Sequence, residues 1–500
     1  MNKFASSMIT ESSMTYTENG HPVASTTGSK VLDLYSVVGA LRGADTERIL
    51  DLFKSAISDD KLLAARTMFY ARDVRGVGTG ERRLFKILLH YAAIDHPEMV
   101  KPNLYLIPEF GRWDDLYALV GTPLEKDAFH FMHEQYLADI QCILDNTPQH
   151  MSLLGKWLKS CNASSDETRR LGRLTAQYFH MSEQYYRKSL RRLRDAIKIV
   201  ETTMSQNRWS DIEYDKIPSR AGLIYREAFK KHDNERYAQY IQDVASGKKT
   251  INAGMNTPQD LVHILMSRGY VVEDETVEAM WNNLPNYVGT DENILVMADT
   301  SGSMTGRPME VSTSLAMYFA QRNHGDFHNL FMTFESDPHF VHLSDEASLY
   351  QNLRTTLNAD WGGSTDLTGA FFKILEMAQG KNIPQEDMPT RFIIISDMEF
   401  DAANGYGYRY GRNRNQLNIQ NLKAMYQSAG YTMPQIIYWN VDSRDNHFHT
   451  SSEEEGVMMA SGSSPAVFEA LIAMKDMDIT PMSAMLDVLN SERYSKIQVE

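Results

Sequence analysis

Cysteine is almost absent from this chain of 500 residues, which contains only Cys142 and Cys161. Two isolated cysteines are too few for a disulfide framework, and they lack the spacing of a zinc site. Because disulfides are characteristic of secreted proteins, we expect a reducing, cytoplasmic location. The first 30 residues are rich in serine and threonine and have no apolar stretch of the kind that a secretory signal requires.

Long apolar runs are also missing. No run approaches the ~20 residues that a membrane-spanning helix needs, so we expect no membrane partner. Hydrophobic residues make up 42% and charged residues 23% of the chain, which is ordinary for a globular protein. Its length exceeds what one hydrophobic core usually supports, so we expect at least two domains.

The net charge of −15 is distributed unevenly along the chain. Residues 151–250 carry 20 Lys and Arg against 12 Asp and Glu, whereas residues 251–500 carry 15 against 33. A basic block beside acidic segments favours one surface for an anionic partner and another that accepts cations. A solvated helical face of mixed charge explains the basic block equally well.

Two patterns of apolar residues divide the chain. From about Leu32 to His232 they recur every three or four residues, which predicts helices, and we interpret these as stacked pairs in an α-solenoid-like module. From about Asp291, strand-like runs alternate with helical runs, which predicts a mostly parallel sheet covered on both faces. The predicted strands are 294–298, 330–334, 392–395, 435–441 and 457–460. The expected domains are a flexible arm (1–30), a helical-repeat module (31–250), a helical connector (251–290), an α/β module (291–480) and a C-terminal tail (481–500).

Oxygen-bearing side chains follow two of these predicted strands. Asp299, Ser301 and Ser303 come directly after the first strand, and Asp397 comes after the strand 392–395. Since parallel strands end at a shared edge of the sheet, these groups are expected to approach one another. Hard oxygen donors of this kind suit Mg²⁺, with Mn²⁺ or Ca²⁺ as alternatives. The competing interpretation of the serines is a helix N-cap.

The same residues resemble the metal-ion-dependent adhesion site of von Willebrand factor A domains. That family has an Asp-x-Ser-x-Ser loop, a later threonine in a glycine-containing loop and a later aspartate after a strand. The resemblance implies that Ser301, Ser303 and Thr365 ligate Mg²⁺ directly, while the two aspartates act through water. It also implies an open coordination position for an acidic group of a partner. Spacing alone leaves Ser364 as an alternative to Thr365, and the family pattern favours Thr365.

A catalytic role is the weaker interpretation of this region. Asp397 and Glu399 together with a metal are a possible arrangement for activating water. No nucleophile–base pair is visible in the sequence. We interpret His447 and His449 as parts of an exposed loop, although two histidines beside an acidic run also suit a transition metal. We therefore expect a protein that is not an enzyme.

The run Arg72–Arg83 combines charged residues with three glycines, but it lacks the Lys-Ser/Thr that a P-loop requires. Its arginines suit either phosphate or buried Arg–Asp pairs between helices. Together with Gly111-Arg112-Trp113-Asp114-Asp115, Asp397-Met398-Glu399-Phe400 and Tyr438-Trp439-Asn440, it resembles an uncharacterised family of plants, microbes and phages. Members of that family have a helical N-terminal module and a C-terminal von Willebrand A-like module. The architecture is more distantly similar to Ro ribonucleoprotein (TROVE) proteins, which close a ring of helical repeats and bind small or misfolded RNAs.

Basic residues between 169 and 198 support this more distant similarity. Several fall at helical spacing on one face, which is the electrostatic pattern of a phosphate-binding surface. Tyr185 and Tyr186 are placed to stack on unpaired bases. The predicted nucleic-acid-binding residues are Arg169, Arg170, Arg173, Arg187, Lys188, Arg191, Arg192, Arg194 and Lys198.

The sequence thus predicts a Ro-like binding protein that holds small or single-stranded RNA on its helical module and an acidic protein partner at its metal site. The alternative is an assembly or scaffold protein, cellular or viral, whose metal site holds a carboxylate of another subunit. An oligomer is compatible with both functions.

Overall fold

The computed structural model describes residues 13–266, 271–289, 292–333, 339–359, 367–400, 419–474 and 476–500. The chain divides into two compact units. Unit 1 comprises Met1–Asp59, Val77–Thr79 and Asn256–Ser491, and unit 2 comprises Asp60–Gly76, Gly80–Met255 and Glu492–Glu500. Residues 31–59 and most of the expected connector therefore group with the sheet, not with the helical unit.

The elements before residue 290 are mostly helices. Two short strands come first, β1 (Met14–Tyr16) and β2 (Pro22–Ala24). The helices that follow are α1 (Lys30–Val37), α2 (Thr46–Asp59), α3 (Lys61–Arg72), α4 (Arg82–Asp95), α5 (Ile107–Phe110), α6 (Glu125–Leu144), α7 (Leu154–Trp157), α8 (Asp166–Tyr178), α9 (Glu183–Ala196), α10 (Val200–Ser205), α11 (Ser219–His232), α12 (Asn234–Ala245), α13 (Pro258–Met266) and α14 (Glu275–Asn282). Short 3₁₀ segments connect several of them, including Trp113–Leu119.

Strands and helices alternate in the remainder of the chain. In order, these are β3 (Ile294–Ala298), α15 (Arg307–Arg322), β4 (Leu330–Thr333), β5 (Phe340–His342), α16 (Leu349–Leu357), α17 (Leu367–Lys381), β6 (Arg391–Ser396), α18 (Ile419–Ser428), β7 (Gln435–Asn440), β8 (Val457–Ser461), α19 (Ala466–Ile472), α20 (Pro481–Leu489) and α21 (Glu492–Ser495).

The described strands β3–β8 form a six-stranded sheet with the order β5-β4-β3-β6-β7-β8. Every neighbouring pair is parallel except β4 with β5, which is antiparallel. The predicted mixed α/β fold with a mostly parallel sheet is confirmed, and the five predicted strands are all present. The short edge strand β5 was not predicted, because it has only three residues and no apolar run.

Helices cover both faces of this sheet. All five residues of β3 are buried, as expected for a strand whose two faces are both covered. On one face Phe371 of α17 and Tyr426 of α18 pack with Leu295 and Ile394 in a single apolar cluster. Against the other face, the Phe319 ring of α15 lies 5.6 Å from the Trp439 ring of β7. These layers hold the ends of β3, β6 and β7 in fixed positions.

The helices of unit 2 follow the apolar spacing of the sequence. In α9 the buried residues Tyr186, Ser189, Leu190 and Leu193 recur at three- and four-residue steps, and Ser182 caps its first turn by accepting a hydrogen bond from a backbone N–H. A helical N-terminal part is therefore confirmed. The solenoid of stacked pairs stays a prediction, because helices of 4 to 20 residues are interrupted by 3₁₀ segments.

The segment expected to be a flexible arm contains a hairpin in its described part. β1 and β2 pair antiparallel, and Ala24 also bridges to Phe448. Thr17 donates a hydrogen bond to the Phe400 carbonyl oxygen, and the Glu18 N–H donates to the Glu399 carboxylate. Among the described residues, no helix is both long enough and apolar enough to cross a membrane.

Candidate metal centre

The candidate centre lies where two neighbouring strands end. Ala298 of β3 pairs with Ile395 of β6, and the N–H of Asp299 continues the ladder by donating to the Ile395 carbonyl oxygen at 2.9 Å. Asp299 and Asp397 therefore leave the sheet at the same edge. The structure brings these two predicted ligands together although nearly 100 residues separate them in the sequence.

Asp299 is fully buried and hydrogen-bonded through both carboxylate oxygens. Oδ1 accepts from the Ser301 N–H at 2.9 Å, and Oδ2 accepts from the Ser396 hydroxyl at 2.5 Å. Burial and the neighbouring charge of Asp397 raise the pKa of Asp299 to about 6 in spite of these bonds. The centre therefore holds more negative charge than its protein surroundings stabilise.

The two predicted serine ligands face the same point. The Ser301 and Ser303 hydroxyl oxygens lie 3.0 Å apart, and the Ser303 side chain also hydrogen-bonds Asp397. Ser301 precedes a 3₁₀ turn without capping it through its side chain, and α15 starts only after Gly306. The helix-cap interpretation does not account for these two hydroxyls, since they are directed towards each other and towards the second carboxylate.

The predicted third hydroxyl belongs to a segment that the structure does not describe. Thr365 and its alternative Ser364 lie outside the described residues, so their roles stay predictions.

Arg444 was missed by the sequence analysis. It lies in the loop after β7, and its Nη2 donates to Asp397 Oδ2 and, at 2.7 Å, to the Ser303 carbonyl oxygen. The same guanidinium lies 3.5 Å from Asp442 and 3.8 Å from Glu18. The signal was present in the sequence: β7 is the next strand after β6, so a charged residue shortly after its end reaches the same edge.

Glu399 lies beside the centre, but its carboxylate is used elsewhere. Oε2 accepts from the Glu18 N–H at 2.9 Å, and Oε1 lies 2.7 Å from His447 Nδ1. Asp445 completes a group whose potential metal-binding atoms lie within 4.8 Å of one another. The hydrogen bonds of Glu399 explain its position without an ion, because they tie the N-terminal hairpin to the loop after β7.

The segment expected to be an exposed loop, His447-Phe448-His449, is packed instead. The His449 ring lies 4.3 Å from the Phe400 ring and 5.5 Å from the His21 ring, and its Nε2 lies 2.7 Å from the Met398 carbonyl oxygen. Burial, followed by the nearby His21, lowers the pKa of His449 to about 3. His449 is therefore neutral at physiological pH, and its Nε2–H donates to the carbonyl.

The residues of the centre fit a hard divalent cation. Two buried carboxylates and two hydroxyls meet at one sheet edge, and burial also raises the pKa of Asp397 although Ser303 and Arg444 oppose this. A cation at this edge would relieve the repulsion between the carboxylates, and its preferred ligands are oxygens of this type. A soft transition metal fits less well, since neither thiolate nor imidazole is among these four residues.

Comparison with known proteins agrees with the uncharacterised family named above. A family model described as "Domain of unknown function (DUF2828)" matches residues 17–151 and 157–288, together more than half of the chain. The chain belongs to this family. A second model, "Domain of unknown function (DUF7788)", matches residues 293–496, which include the sheet and the candidate centre.

A similar protein from a virus extends over nearly the whole of this DUF2828 member. "Uncharacterized protein L728" of Acanthamoeba polyphaga mimivirus is 26% identical over 517 residues, which cover 95% of this chain and 87% of that protein. The similarity to an uncharacterised family is thus confirmed. The von Willebrand A and Ro resemblances stay predictions.

The predicted nucleic-acid residues of this DUF2828 member differ in their surroundings. Four on α9 are exposed: Arg187, Lys188, Arg191 and Arg192, although Arg191 Nε lies 3.7 Å from Asp195 Oδ2. Lys198, just after the helix, is exposed as well. The others are engaged locally: Arg169 pairs with Asp166, Arg170 with Glu167, Arg173 with Glu183, and Arg194 donates to the carbonyl oxygens of Gly155 and Leu158.

The two tyrosines proposed for base stacking are also different. Tyr185 is 59% exposed, whereas Tyr186 is fully buried and its hydroxyl donates to the Lys159 carbonyl oxygen at 2.8 Å. Only Tyr185 is available to a ligand. The periodicity explains the difference, since adjacent helical residues point about 100° apart.

Proposed function

We propose that unit 1 contains a Mg²⁺-dependent adhesion site of the von Willebrand A type, which binds a carboxylate of a partner and catalyses no reaction. The observation that carries this proposal is the pair of buried carboxylates, Asp299 and Asp397, that share one sheet edge with the hydroxyls of Ser301 and Ser303. Their burial gives the acids raised pKa values, and a bound cation would stabilise their charged forms.

The surroundings of the centre support binding over catalysis. Glu399, two residues after Asp397, is held by Glu18 and His447, and the His449 ring nitrogen donates to a backbone carbonyl. These groups are engaged in hydrogen bonds that connect loops, so neither is positioned as a general base.

Isothermal titration with MgCl₂ and MnCl₂ tests the site. We expect Asp299→Asn to weaken binding by about 10–100-fold, as is usual when a group that orients a metal site is removed. Asp478→Asn is a matched control, since Asp478 is an exposed acid of the same unit. Equal affinities of the wild type and Asp299→Asn would refute the proposal. A folded state with unchanged circular dichroism is required of both variants.

RNA binding by unit 2 is a second candidate function. The proposed ligand is single-stranded RNA, bound in the manner of Ro proteins. It is favoured by the exposed cations of α9, of which Lys188 and Arg192 lie three and seven residues after the exposed Tyr185 and so on the same side of the helix. Cations at helical spacing neutralise phosphates, and an aromatic ring beside them stacks on a base. The locally paired Arg169 and Arg170 contribute less, because their charge is already balanced by Asp166 and Glu167.

Fluorescence anisotropy with a single-stranded oligoribonucleotide tests this function. We expect binding that weakens steeply with salt and is lost in Arg191→Glu/Arg192→Glu. Lys230→Glu/Lys231→Glu on α11 makes the same change of charge elsewhere in unit 2 and is expected to retain binding. No binding by the wild type at low salt, or equal loss in both variants, would refute it.

An assembly or scaffold function remains the alternative for the metal site. In that case a chelator dissociates a complex with another protein subunit, and RNA has no effect on it. Size-exclusion chromatography with EDTA, and separately with ribonuclease, distinguishes the two. Either function is expected in a reducing cytoplasm, where Cys142 and Cys161, both free thiols in the structure, stay reduced.

A further inference from the structure

Two buried aspartates of unit 2 lie beside cations from two segments, helix α4 and the stretch after α7. Asp114 and Asp115 lie in the 3₁₀ segment Trp113–Leu119 and are 1% and 0% exposed. Arg82 contacts both carboxylates, Lys86 Nζ lies 3.7 Å from Asp115 Oδ1, and Lys159 Nζ lies 3.3 Å from Asp114 Oδ2. The three cationic head groups are therefore close to one another.

One of the two carboxylates is already neutralised by a buried partner. Arg72, only 1% exposed, places its Nε 2.8 Å from Asp115 Oδ2, and the Arg112 backbone N–H donates to the same oxygen at 3.0 Å. This is the buried Arg–Asp pair that the sequence suggested. Asp114 is then the remaining carboxylate beside Arg82, Lys86 and Lys159, and the Arg112 guanidinium also interacts with both aspartates, so among these residues positive charges outnumber negative ones.

The positive surplus affects the pKa values of the cations. Burial and then the nearby Arg82 lower the pKa of Lys86, and Lys159 lowers it further. Burial, Arg72 and Arg82 likewise lower the pKa of Arg112, whose guanidinium stacks on the Trp157 ring at 4.6 Å. Cations that are crowded in this way gain from an anion, because it removes their mutual repulsion.

The side chains that carry the surplus charge are also partly exposed to solvent. The side chains of Arg82, Lys86 and Lys159 are 43%, 31% and 25% exposed, although the carboxylates that anchor them are buried. Head groups held in place before a ligand arrives lose little conformational freedom on binding. The site is therefore open to an anion and already organised for one.

We propose that Arg82, Lys86 and Lys159 form a binding site for a phosphate monoester. A monoester carries nearly two negative charges at neutral pH and a backbone diester carries one, so the monoester neutralises more of the positive surplus. Its terminal oxygens accept charge-assisted hydrogen bonds from an arginine and two lysines at once. The ligand is either a free phosphate or nucleotide or the 5′-phosphate of an RNA. The site uses neither the residues of the metal centre nor the exposed residues of α9. Its test is therefore independent of the tests of those two sites.

Titration of the full chain with inorganic phosphate and with AMP tests the proposal. We expect binding by the wild type and a loss of affinity of at least about tenfold in Lys86→Gln/Lys159→Gln, since hydrogen bonds to charged groups are removed. That variant keeps the buried Arg72–Asp115 pair and is expected to fold. Lys230→Gln/Lys231→Gln on α11 removes the same charge elsewhere in unit 2 and is expected to bind as the wild type does.

A second pair of probes identifies the source of the phosphate. If the site holds an RNA end, a 5′-phosphorylated oligoribonucleotide binds more tightly than its 5′-hydroxyl form, and Lys86→Gln/Lys159→Gln removes the difference. If it holds a free phosphate or nucleotide, the two oligoribonucleotides bind alike while phosphate or AMP still binds. The proposal is overturned if none of the phosphate probes binds, or if Lys86→Gln/Lys159→Gln binds them all as the wild type does. It is also overturned if the α11 variant loses the same affinity.

Discussion

Replacing Arg444 with glutamine is expected to strengthen Mg²⁺ binding at the candidate centre. The Arg444 guanidinium contacts Asp397, one of the two carboxylates that we assign to the metal. A cation bound there competes with this guanidinium for the same carboxylate. Glutamine keeps a donor for the Ser303 carbonyl oxygen but removes the positive charge, so it removes the competition and preserves much of the local hydrogen bonding.

The size of the effect follows from the surroundings of the pair. A pair of unit charges about 4 Å apart is worth about 1 kcal/mol in water and about 4 kcal/mol at an effective dielectric constant of about 20. The Arg444 side chain is 32% exposed and that of Asp397 is 1% exposed, so this pair lies between the two limits. Taking about 2 kcal/mol, we expect the dissociation constant for Mg²⁺ to fall about thirtyfold.

The assay is isothermal titration with MgCl₂ at constant ionic strength, with Arg354→Gln as the control. Arg354 is an exposed arginine of α16 in the same unit, so the control removes the same charge from a position away from the centre. Unchanged or weaker binding by Arg444→Gln, with Arg354→Gln equal to the wild type, would show that Arg444 supports the site and does not oppose it. Equal tightening in both variants would show a general effect of net charge.

Three further predictions concern stability and are measured by urea unfolding. His449 has a pKa of about 3 in the fold against 6.5 for the free group, so the unfolded chain binds more protons between these values. The contribution of neutral His449 to the free energy of unfolding is then fully present above pH 6.5. It is lost as the pH falls from 6.5 towards 3, by at most about 5 kcal/mol. His449→Gln should flatten this dependence, and a profile parallel to that of the wild type would contradict the assignment. Arg72→Met leaves a buried carboxylate without its main partner and should cost about 3 kcal/mol, and a cost below about 1 kcal/mol would contradict the pairing. In Gly39→Ala the new Cβ would lie 2.4 Å from the backbone oxygen of Ser461, so we expect a loss of about 2 kcal/mol, whereas Gly43→Ala, with open space around it, should be nearly neutral.

The sheet and the core of the candidate centre were predictable because their signals are local. A run such as Ile294–Ala298 is apolar at every position, which marks a strand covered on both faces, and its last residue marks the sheet edge. Asp299 and Asp397 then follow because each comes directly after a predicted parallel strand, and such strands end at a shared edge. In the same way, the three- and four-residue spacing in α9 predicted its buried face.

The parts that were missed depend on contacts between distant residues. The hairpin that contains Glu18 is too short to show a periodicity, and its partner Glu399 lies 381 residues away. The sequence 447–449 reads as a polar loop, and only the packing of His449 against Phe400 shows that it is part of the core. Tyr186 and Arg194 lie in a basic helix, but the neighbouring backbone uses them for structural hydrogen bonds.

The contacts between the two ends of the chain determine when each unit becomes complete during synthesis. Glu18 and Glu399 are made about 20–80 s apart at ordinary rates of translation, so the N-terminal hairpin has no partner during that time. Unit 2 is also incomplete for a time, because Asp73 accepts hydrogen bonds from Arg493 and Tyr494, which are made much later. Unit 1 lacks its Glu18–Glu399 contact until residue 399 is made, and unit 2 lacks its contacts to Asp73 until residues 493 and 494 are made. A nascent chain that is cut or stalled early therefore leaves both units unfinished.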